Sequence, residues 1–118
     1  MGKITKQNGK KTNPIKLTNS VDVPFVVCFR EKLEKGFTFE ELEKRNNKEF
    51  QSFLDKISNM NVTQVDKLYR RLSDKNDTHN GNQVFHYQIT DSFRLHVINY
   101  NGNYEVIRLD PNHRVHDK

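Results

Sequence analysis

Apolar and polar residues alternate most clearly in the last third of the chain. Two runs there, residues 84–90 and 93–109, are rich in β-branched and aromatic side chains and predict strands. The second run contains Asn101-Gly102. An Asn-Gly pair between such runs favours a type I′ turn, because both central residues of that turn need positive φ. We therefore expect a β-hairpin that turns at residues 101 and 102.

The turn also predicts which residues pair and which face each side chain occupies. The expected pairs, counted outward from the turn, are Tyr100 with Asn103, Ile98 with Glu105, His96 with Ile107, and Arg94 with Leu109. The alternate positions form the other face, which consists of Leu95, Val97, Asn99, Tyr104, Val106 and Arg108. That second face is apolar at its centre, so we expect it to pack on the core. Arg94 and His96 should then lie side by side on the exposed face.

A strand and a helix are predicted before the hairpin. Residues 23–30 are β-branched and aromatic, with Pro24 at the start, where a missing N–H donor is tolerated. Thr38 and Glu41 have capping-box spacing and predict a helix start there. Asn46-Asn47 is a possible interruption of this helix. The apolar stripe that follows consists of Phe50, Phe53, Leu54 and Ile57.

A second helix follows a break at residues 59–63. Either Asn61 with Gln64 or Thr63 with Asp66 has the spacing of a capping box. The expected buried stripe is Val65, Leu68, Tyr69 and Leu72. Arg70 and Arg71 belong to a basic edge of this helix, which is either a solvated face or a phosphate-binding surface.

The order of elements predicts the fold class. Each helix has one apolar stripe, and so has the hairpin, so the helices should cover one face of the sheet. We expect an α+β fold of order β-α-α-β-β-β, with an antiparallel sheet packed on a helical hairpin. Residues 21–118 form this single domain. Residues 1–20 carry five lysines and few aliphatic residues, and we expect a disordered basic tail that either contacts phosphates or only aids solubility.

The net charge and the cysteine content indicate what kind of partner and which cellular compartment to expect. The 118 residues carry a net charge of +5, and the pI is near 9.4. This favours an anionic partner such as nucleic acid or an acidic protein. The single cysteine, Cys28, excludes an intramolecular disulfide and fits a reducing cytoplasm. We expect no membrane span and no signal peptide, since no apolar run has the required length.

Two short sequence motifs and the order of elements resemble those of known families. A basic β-α-α-β-β-β chain with an arginine-bearing meander resembles the RelE/ParE superfamily of bacterial toxins. The words FRLH at 93–96 and DPNH at 110–113 are also similar to a group of short proteins from phages and mobile elements of low-GC bacteria. This resemblance implies a RelE-like fold and a ribosome-dependent mRNA endonuclease, or a ParE-like gyrase poison, held by an antitoxin. It implies no metal and no cofactor.

The resemblance also directs attention to particular side chains. RelE-type enzymes use Lys, Arg and sometimes Tyr or His on the exposed sheet face and the chain end. The matching positions here are Arg94, His96, Arg108, His113, Arg114 and His116. The final meander has no lysine before Lys118, and the chain ends DPNHRVHDK rather than with Arg and Tyr. These departures from the RelE pattern leave a histidine-based variant of the mechanism open.

Metal-free RNA cleavage needs a base, an acid and positive charge on the phosphate. His serves either proton role near neutral pH, and Arg grips phosphate with two parallel donors. We therefore predict that His96 and His113 are base and acid in some order and that Arg94 clamps phosphate. Arg70, Arg71, Arg108, Arg114 and His116 are the further candidates for RNA binding.

Each of these predictions has a structural alternative. If His96 has no catalytic role, it is a sheet residue whose hydrogen bonds are satisfied within the fold. If Arg108, on the face assigned to the core, does not bind RNA, it is an ion-pair partner. The DPNH word is otherwise a turn, in which Asp110 accepts local backbone bonds. A metal site built on the histidines has little support, since the chain has no spaced Cys pair and no HExxH motif. A non-catalytic inhibitor of a host enzyme or defence system is the alternative function.

Overall fold

The structure, a computed structural model, describes residues 23–115. The predicted basic tail and His116 lie outside these residues. Residues 23–115 form two α-helices and short to medium strands, with one 3-10 turn at Phe39–Glu41. The helices are α1 (Lys44–Ile57) and α2 (Val62–Tyr69). The strands are β1 (Val27–Cys28), β2 (Arg70–Arg71), β3 (Thr78–His79), β4 (Asn82–Gln83), β5 (Phe85–Gln88), β6 (Arg94–Tyr100) and β7 (Asn103–Asp110).

Five of the strands form one mixed sheet in the order β1-β7-β6-β5-β2. The α+β class is therefore confirmed, but the expectation of an entirely antiparallel sheet is wrong, because β1 runs parallel to β7. A parallel pair needs a long crossover, which the intervening helices and meander provide. Strands β3 and β4 form a separate two-stranded sheet. The predicted order of strand, two helices and three strands thus recurs with short strands added.

The Asn101-Gly102 hairpin forms as predicted. Both residues have positive φ, 53° and 86°, and they join β6 to β7. Next to the turn, Tyr100 pairs with Asn103 and Ile98 pairs with Glu105, as expected. The local sequence is therefore sufficient to place the turn and the first part of the register.

Farther from the turn the predicted register is wrong by one residue. A β-bulge lies between His96 and Val97, where β7 carries Ile107 as an extra residue. As a result the partners of His96 and Arg94 are Arg108 and Asp110, rather than Ile107 and Leu109. A one-residue shift moves every later side chain to the opposite face.

The bulge corrects the predicted position of Arg108. Leu109 now joins the core cluster with Leu95, whereas Arg108 lies beside His96 on the face away from the helices. The face that was assigned to Arg108 is thus occupied by a leucine. Because of the bulge, Leu109 enters the core beneath the helices and the guanidinium of Arg108 does not.

Apolar side chains cover both faces of the sheet. The main core joins residues of both helices to the sheet, including Phe50, Phe53, Ile57, Val65, Tyr87, Leu95, Val97 and Val106. A second, smaller cluster of Val84, Ile98 and Ile107 lies apart from it. The helices therefore lie on one face, as predicted, and the other face is partly covered by loops.

The helix boundaries differ from the predicted ones. Thr38 Oγ1 accepts from Glu40 N at 3.2 Å, but it caps only the 3-10 turn. Helix α1 begins at Lys44, and Asn46, predicted as an interruption, instead helps to start it, since its Oδ1 accepts from Glu43 N at 2.9 Å. Asn side chains favour helix starts for this reason.

The cap of α2 is the predicted pair of Asn61 and Gln64 rather than Thr63 and Asp66. Asn61 Oδ1 accepts from Gln64 N at 2.9 Å, and Gln64 Oε1 accepts from Asn61 N at 3.0 Å. The predicted burial of Leu68 and Leu72 is wrong. Leu68 is 52% exposed, and Leu72, which follows the end of α2, is 88% exposed.

Within residues 23–115 no helix has the length and apolar character that a membrane span requires. The longest helix, α1, has 14 residues and many charged side chains. A helical span needs about 20 consecutive apolar residues.

Replacing Gly102 tests how much the turn stabilises the hairpin. A Cβ at this position would meet no atom within 4 Å, so the positive φ is the only source of strain for a substituted residue. We expect G102A to lower the free energy of unfolding by about 1 kcal/mol, because a left-handed conformation strains alanine. G102N is the matched control and should lose less, since Asn tolerates this conformation better. Urea unfolding measures both, and equal losses would contradict the explanation.

Candidate functional site

Four strands align cationic and imidazole side chains across one face of the sheet. The Cα pairings run from Arg71 on β2 to His86 on β5, from His86 to His96 on β6, and from His96 to Arg108 on β7. Arg94 belongs to the next row, two residues along β6. The row from Arg71 to Arg108, together with Arg94 beside it, positions the side chains of the candidate site.

One end of the row borders a cavity of about 340 Å³. Its lining residues are Arg71, Leu72, His86, Arg94 and His113. Three of these, Arg71, Arg94 and His113, were predicted as functional residues from the sequence. The cavity therefore brings together two guanidinium groups and two imidazole rings from β2, β5, β6 and the segment after β7. We call it the basic cavity.

The two arginines of the basic cavity are held by neutral acceptors. Arg94 Nη1 donates to the carbonyl oxygens of Thr90 at 2.7 Å and Asp91 at 3.0 Å. Arg71 Nε donates to Gln88 Oε1 at 2.8 Å. Within residues 23–115 neither guanidinium has a carboxylate within 4.0 Å. Burial, with the charge of Arg71 adding to it, lowers the pKa of Arg94 from its ordinary value. Two neighbouring cations without such a partner favour an anionic ligand.

A tight turn places His113 at the cavity. Asp110 is fully buried, and its carboxylate accepts from Arg114 N at 2.9 Å and from Val115 N at 3.0 Å. His113 itself has a φ of 53°. The turn that was the alternative explanation of the DPNH word is therefore present. It does not compete with a functional His113, because the same turn brings that side chain to the cavity.

His96 is buried, which contradicts its predicted place on an exposed face. Its side chain is 0% exposed, and its ring stacks on His86 with 3.9 Å between centroids. Arg108 Nη1 lies 3.2 Å from His96 Nδ1. Since Arg only donates, Nδ1 is the acceptor and the proton resides on Nε2. Next to His96 on this face, Asp77 from the loop of residues 74–83 contacts both His86 and Arg108, which lie on either side of His96.

The electrostatic surroundings keep His96 neutral. Burial is the main cause, and the neighbouring His86 and Arg108 add to it, so that the pKa of His96 falls to about 2. His96 Nε2 has no hydrogen-bond partner within the described part of the chain, and the nearest Asp110 oxygen is 3.9 Å away. A group with these properties does not exchange protons near neutral pH.

Arg108 is an ion-pair partner, as the structural alternative anticipated. Its Nε donates to Glu34 Oε1 at 2.7 Å. Its Nη1 and Nη2 donate to the two Asp77 oxygens at 3.0 and 2.8 Å. The guanidinium is thus occupied and faces away from solvent. Glu34 also contacts His79 Nδ1 at 2.7 Å, which adds a third segment to the network.

Asp77 connects this ion pair to the basic cavity. Asp77 Oδ2 lies 2.9 Å from His86 Nε2. Burial alone would raise the pKa of Asp77, but hydrogen bonds from Arg108 and His86 outweigh it and lower the pKa to about 2. The ionised carboxylate therefore orients the His86 ring, which lines the basic cavity. This carboxylate–imidazole pair was not predicted from the sequence.

A sequence signal for the loop that carries Asp77 was available. Asn80-Gly81 is a second Asn-Gly pair, and both residues have positive φ, 52° and 82°. It joins β3 to β4 and folds residues 74–83 back over the sheet. His86 itself alternates with apolar residues in β5, so its face, though not its partner, follows from the pattern.

The other predicted RNA-binding residues lie away from the basic cavity. Arg70 pairs with Asp66 at 3.5 Å and stacks on the Phe85 ring. Arg114 donates to the carbonyl oxygen of Gly36 and lies over the Phe37 ring. His116 falls outside the described residues. Their predicted roles in RNA binding remain predictions.

The buried neutral His96 generates a prediction about pH. On unfolding, the imidazole is exposed and takes up a proton below about pH 6.5, so acid favours the unfolded chain. The contribution of His96 to stability is complete above pH 6.5 and is lost as the pH falls toward 2. We expect H96Q to reduce the slope of unfolding free energy against pH between 6.5 and 5 by up to about 1.4 kcal/mol per pH unit.

The neighbouring variant V97A is the control for this measurement. Val97 is fully buried, so V97A lowers stability without removing a titrating group. Denaturant unfolding at several pH values should show a changed slope for H96Q and an unchanged slope for V97A. A wild-type slope in H96Q would mean that His96 is not held neutral.

The basic cavity is the candidate functional site. Within residues 23–115 no three His, Cys, Asp or Glu side chains are grouped so that they could hold a metal ion. The cavity offers two guanidiniums and two imidazoles, a set suited to a phosphate-bearing ligand. Comparison of the chain with protein-family models, curated proteins and solved structures finds no match.

Proposed function

We propose that this protein is a RelE-like toxin or phage-borne protein that acts as a metal-independent endoribonuclease on mRNA. The observation that carries the proposal is the convergence of Arg71, Arg94, His86 and His113 on one cavity. Neither arginine has a carboxylate partner in the described chain. The resemblance of the order of elements to RelE-type toxins supports the same class, with the ribosome and an antitoxin as partners.

In the proposed reaction the RNA attacks its own phosphate. The 2′-oxygen forms a bond to phosphorus as its proton passes to one imidazole. The bond from phosphorus to the 5′-oxygen then breaks, and the other imidazole gives a proton to that leaving oxygen. The products are a 2′,3′-cyclic phosphate and a 5′-hydroxyl, and no water, metal or oxidant is consumed. Arg71 and Arg94 stabilise the charge on the phosphoryl oxygens.

In this scheme His86 takes the proton role predicted for His96. His96 is fully enclosed and neutral, whereas His86, although only 2% exposed, lines the cavity, and Asp77 Oδ2 lies 2.9 Å from its Nε2 and orients the ring. His96 stacks beneath it and, with Arg108, supports its position. His113 keeps its predicted role as the second proton-transfer group, and Arg94 keeps its role on the phosphate.

A non-catalytic binding protein is the second candidate. The observation that favours it is Leu72, which is 88% exposed at the rim of the cavity, next to Arg71. Leu68, 52% exposed, adds apolar surface near the end of α2. Exposed leucines beside cations are typical of a protein interface. The partner would then be a host enzyme, such as gyrase, or a component of a defence system.

Cleavage of a labelled mRNA, alone and on ribosomes with EDTA present, tests the first candidate. We expect H113Q to slow cleavage by roughly 100-fold or more, because a positioned acid or base contributes at least that much. R94Q and R71Q should lose comparable activity through weaker stabilisation of the phosphate. The expected product ends are a cyclic phosphate and a 5′-hydroxyl.

The adjacent residue provides a matched control. R70Q removes the same charge from the same strand, but Arg70 is directed to Asp66 and Phe85, so cleavage should stay close to wild type. Circular dichroism and thermal unfolding confirm that each variant is folded. The absence of cleavage by folded wild type under all these conditions would overturn the endonuclease proposal. Binding of a protein target that survives H113Q but not R71E would then support the second candidate.

A further inference from the structure

A second cavity, of about 280 Å³, lies between α1 and the end of β5. Successive turns of α1 supply one wall through Arg45, Lys48, Ser52 and Lys56, which recur at helical spacing. Ile89 and Thr90 also line this space, with Tyr69 and Phe53 between them and the helix. None of these residues was singled out as functional from the sequence. We call this space the helix cavity.

The rim of the helix cavity is cationic and its floor is apolar. Glu49 is the only acidic lining residue, and it is engaged by Arg45 at 3.7 Å. Lys48 and Lys56 have no carboxylate within 4.0 Å in the described part of the chain. The floor is formed by Phe53, which is 3% exposed, and by Tyr69, whose ring meets Phe53 edge-on at 5.1 Å between centroids. A basic rim over an aromatic floor suits a ligand with a phosphate and a planar ring.

The helix cavity is connected to the basic cavity through one residue. Thr90 lines the helix cavity, and its carbonyl oxygen accepts the 2.7 Å hydrogen bond from Arg94 Nη1. The Arg94 side chain in turn lines the basic cavity. The helix cavity lies on the helix side of Thr90 and the basic cavity on the other side, so an RNA strand whose phosphate is held by Arg94 reaches the helix cavity by passing over the turn that contains Thr90.

We propose that the helix cavity binds a nucleotide of single-stranded RNA that lies beyond the two nucleotides joined by the cleaved phosphate, with Lys48 and Lys56 on its backbone and its base against the half-buried Tyr69 ring. This inference rests on the proposed function, since it assigns a second subsite to the same substrate. Its size suits one base and not a folded partner, because ligand sites for larger molecules have greater volume. Single strands are bound in this way by cationic grooves lined with aromatic rings.

The test compares a short and a long RNA. A dinucleotide occupies the basic cavity alone, whereas a labelled decamer reaches both cavities. We expect K48Q/K56Q to weaken binding of the decamer roughly tenfold and to reduce the slope of log affinity against log salt by about 1.4, which is the counterion release of two single-strand phosphate contacts. Binding and cleavage of the dinucleotide should not change.

Two further variants separate a nucleotide subsite from general positive charge. K44Q/K67Q removes two exposed lysines that do not line the cavity, and it should have a smaller effect on the decamer. S52F keeps the charge and fills the cavity, and it should weaken the decamer but not the dinucleotide. If S52F binds the decamer as wild type does, or if K44Q/K67Q matches K48Q/K56Q, the helix cavity is not a subsite.

The failure of this inference differs from the failure of the proposed function. If the dinucleotide is cleaved by wild type and by every variant of the helix cavity, and the decamer shows no selective loss, only the subsite is wrong. If wild type cleaves neither of these RNAs nor mRNA on ribosomes, the endonuclease is wrong, and the decamer affinities still decide whether the helix cavity contacts RNA. Loss of RNA binding in R94Q would show, independently of the helix cavity, that the basic cavity contacts RNA.

Discussion

The arrangement of this protein depends on the ion pairs of one buried arginine. Arg108, only 6% exposed, joins Glu34 from the segment before α1 and Asp77 from the loop before β5. These partners are 74 and 31 residues away in the chain. Removing one member of such a pair leaves an uncompensated buried charge, at a cost of roughly 3 to 5 kcal/mol. The same bonds hold the loop over His96 and orient His86 toward the basic cavity.

The bulge at His96 and Val97 makes this network possible. Without the extra residue Ile107, strict alternation would direct Arg108 toward the helices and Leu109 toward the loops. With it, the apolar side chain enters the core and the guanidinium meets its carboxylates. A single inserted residue thus satisfies the hydrophobic core and the ion pairs together, because a bulge redirects the side chains that follow it.

The arginines of the described chain fall into two groups. Arg30, Arg45, Arg70 and Arg108 have carboxylate partners, and Arg114 is held by a carbonyl oxygen and an aromatic ring. Arg71 and Arg94 are held by neutral acceptors and border the same cavity. The arginines with carboxylate partners are engaged within the fold, whereas the other two are the ones that the proposed function assigns to a phosphate. Nothing in the sequence distinguishes these two groups.

Interactions between near neighbours in the chain were predictable from the sequence. The turn at Asn101-Gly102, the cap formed by Asn61 and Gln64, and the turn after Asp110 each depend on contacts within five residues, so the local residue types suffice. The α+β class and the helix-covered face of the sheet also followed, because they depend on periodicity. Arg71, Arg94 and His113 were chosen for their chemistry, but nothing local showed that they share a cavity.

The parts that were wrong or missed depend on contacts distant in sequence. The parallel pairing of β1, the burial of His96 and the side of the sheet that Arg108 occupies are decided by segments that lie far apart in the chain. The bulge has no local signature in the sequence around residue 107. The bulge forms at this position because the folded chain has a lower free energy with Leu109 in the core and Arg108 beside its carboxylate partners. That choice exists only once the helices and the loop of residues 74–83 have packed on opposite faces of the sheet.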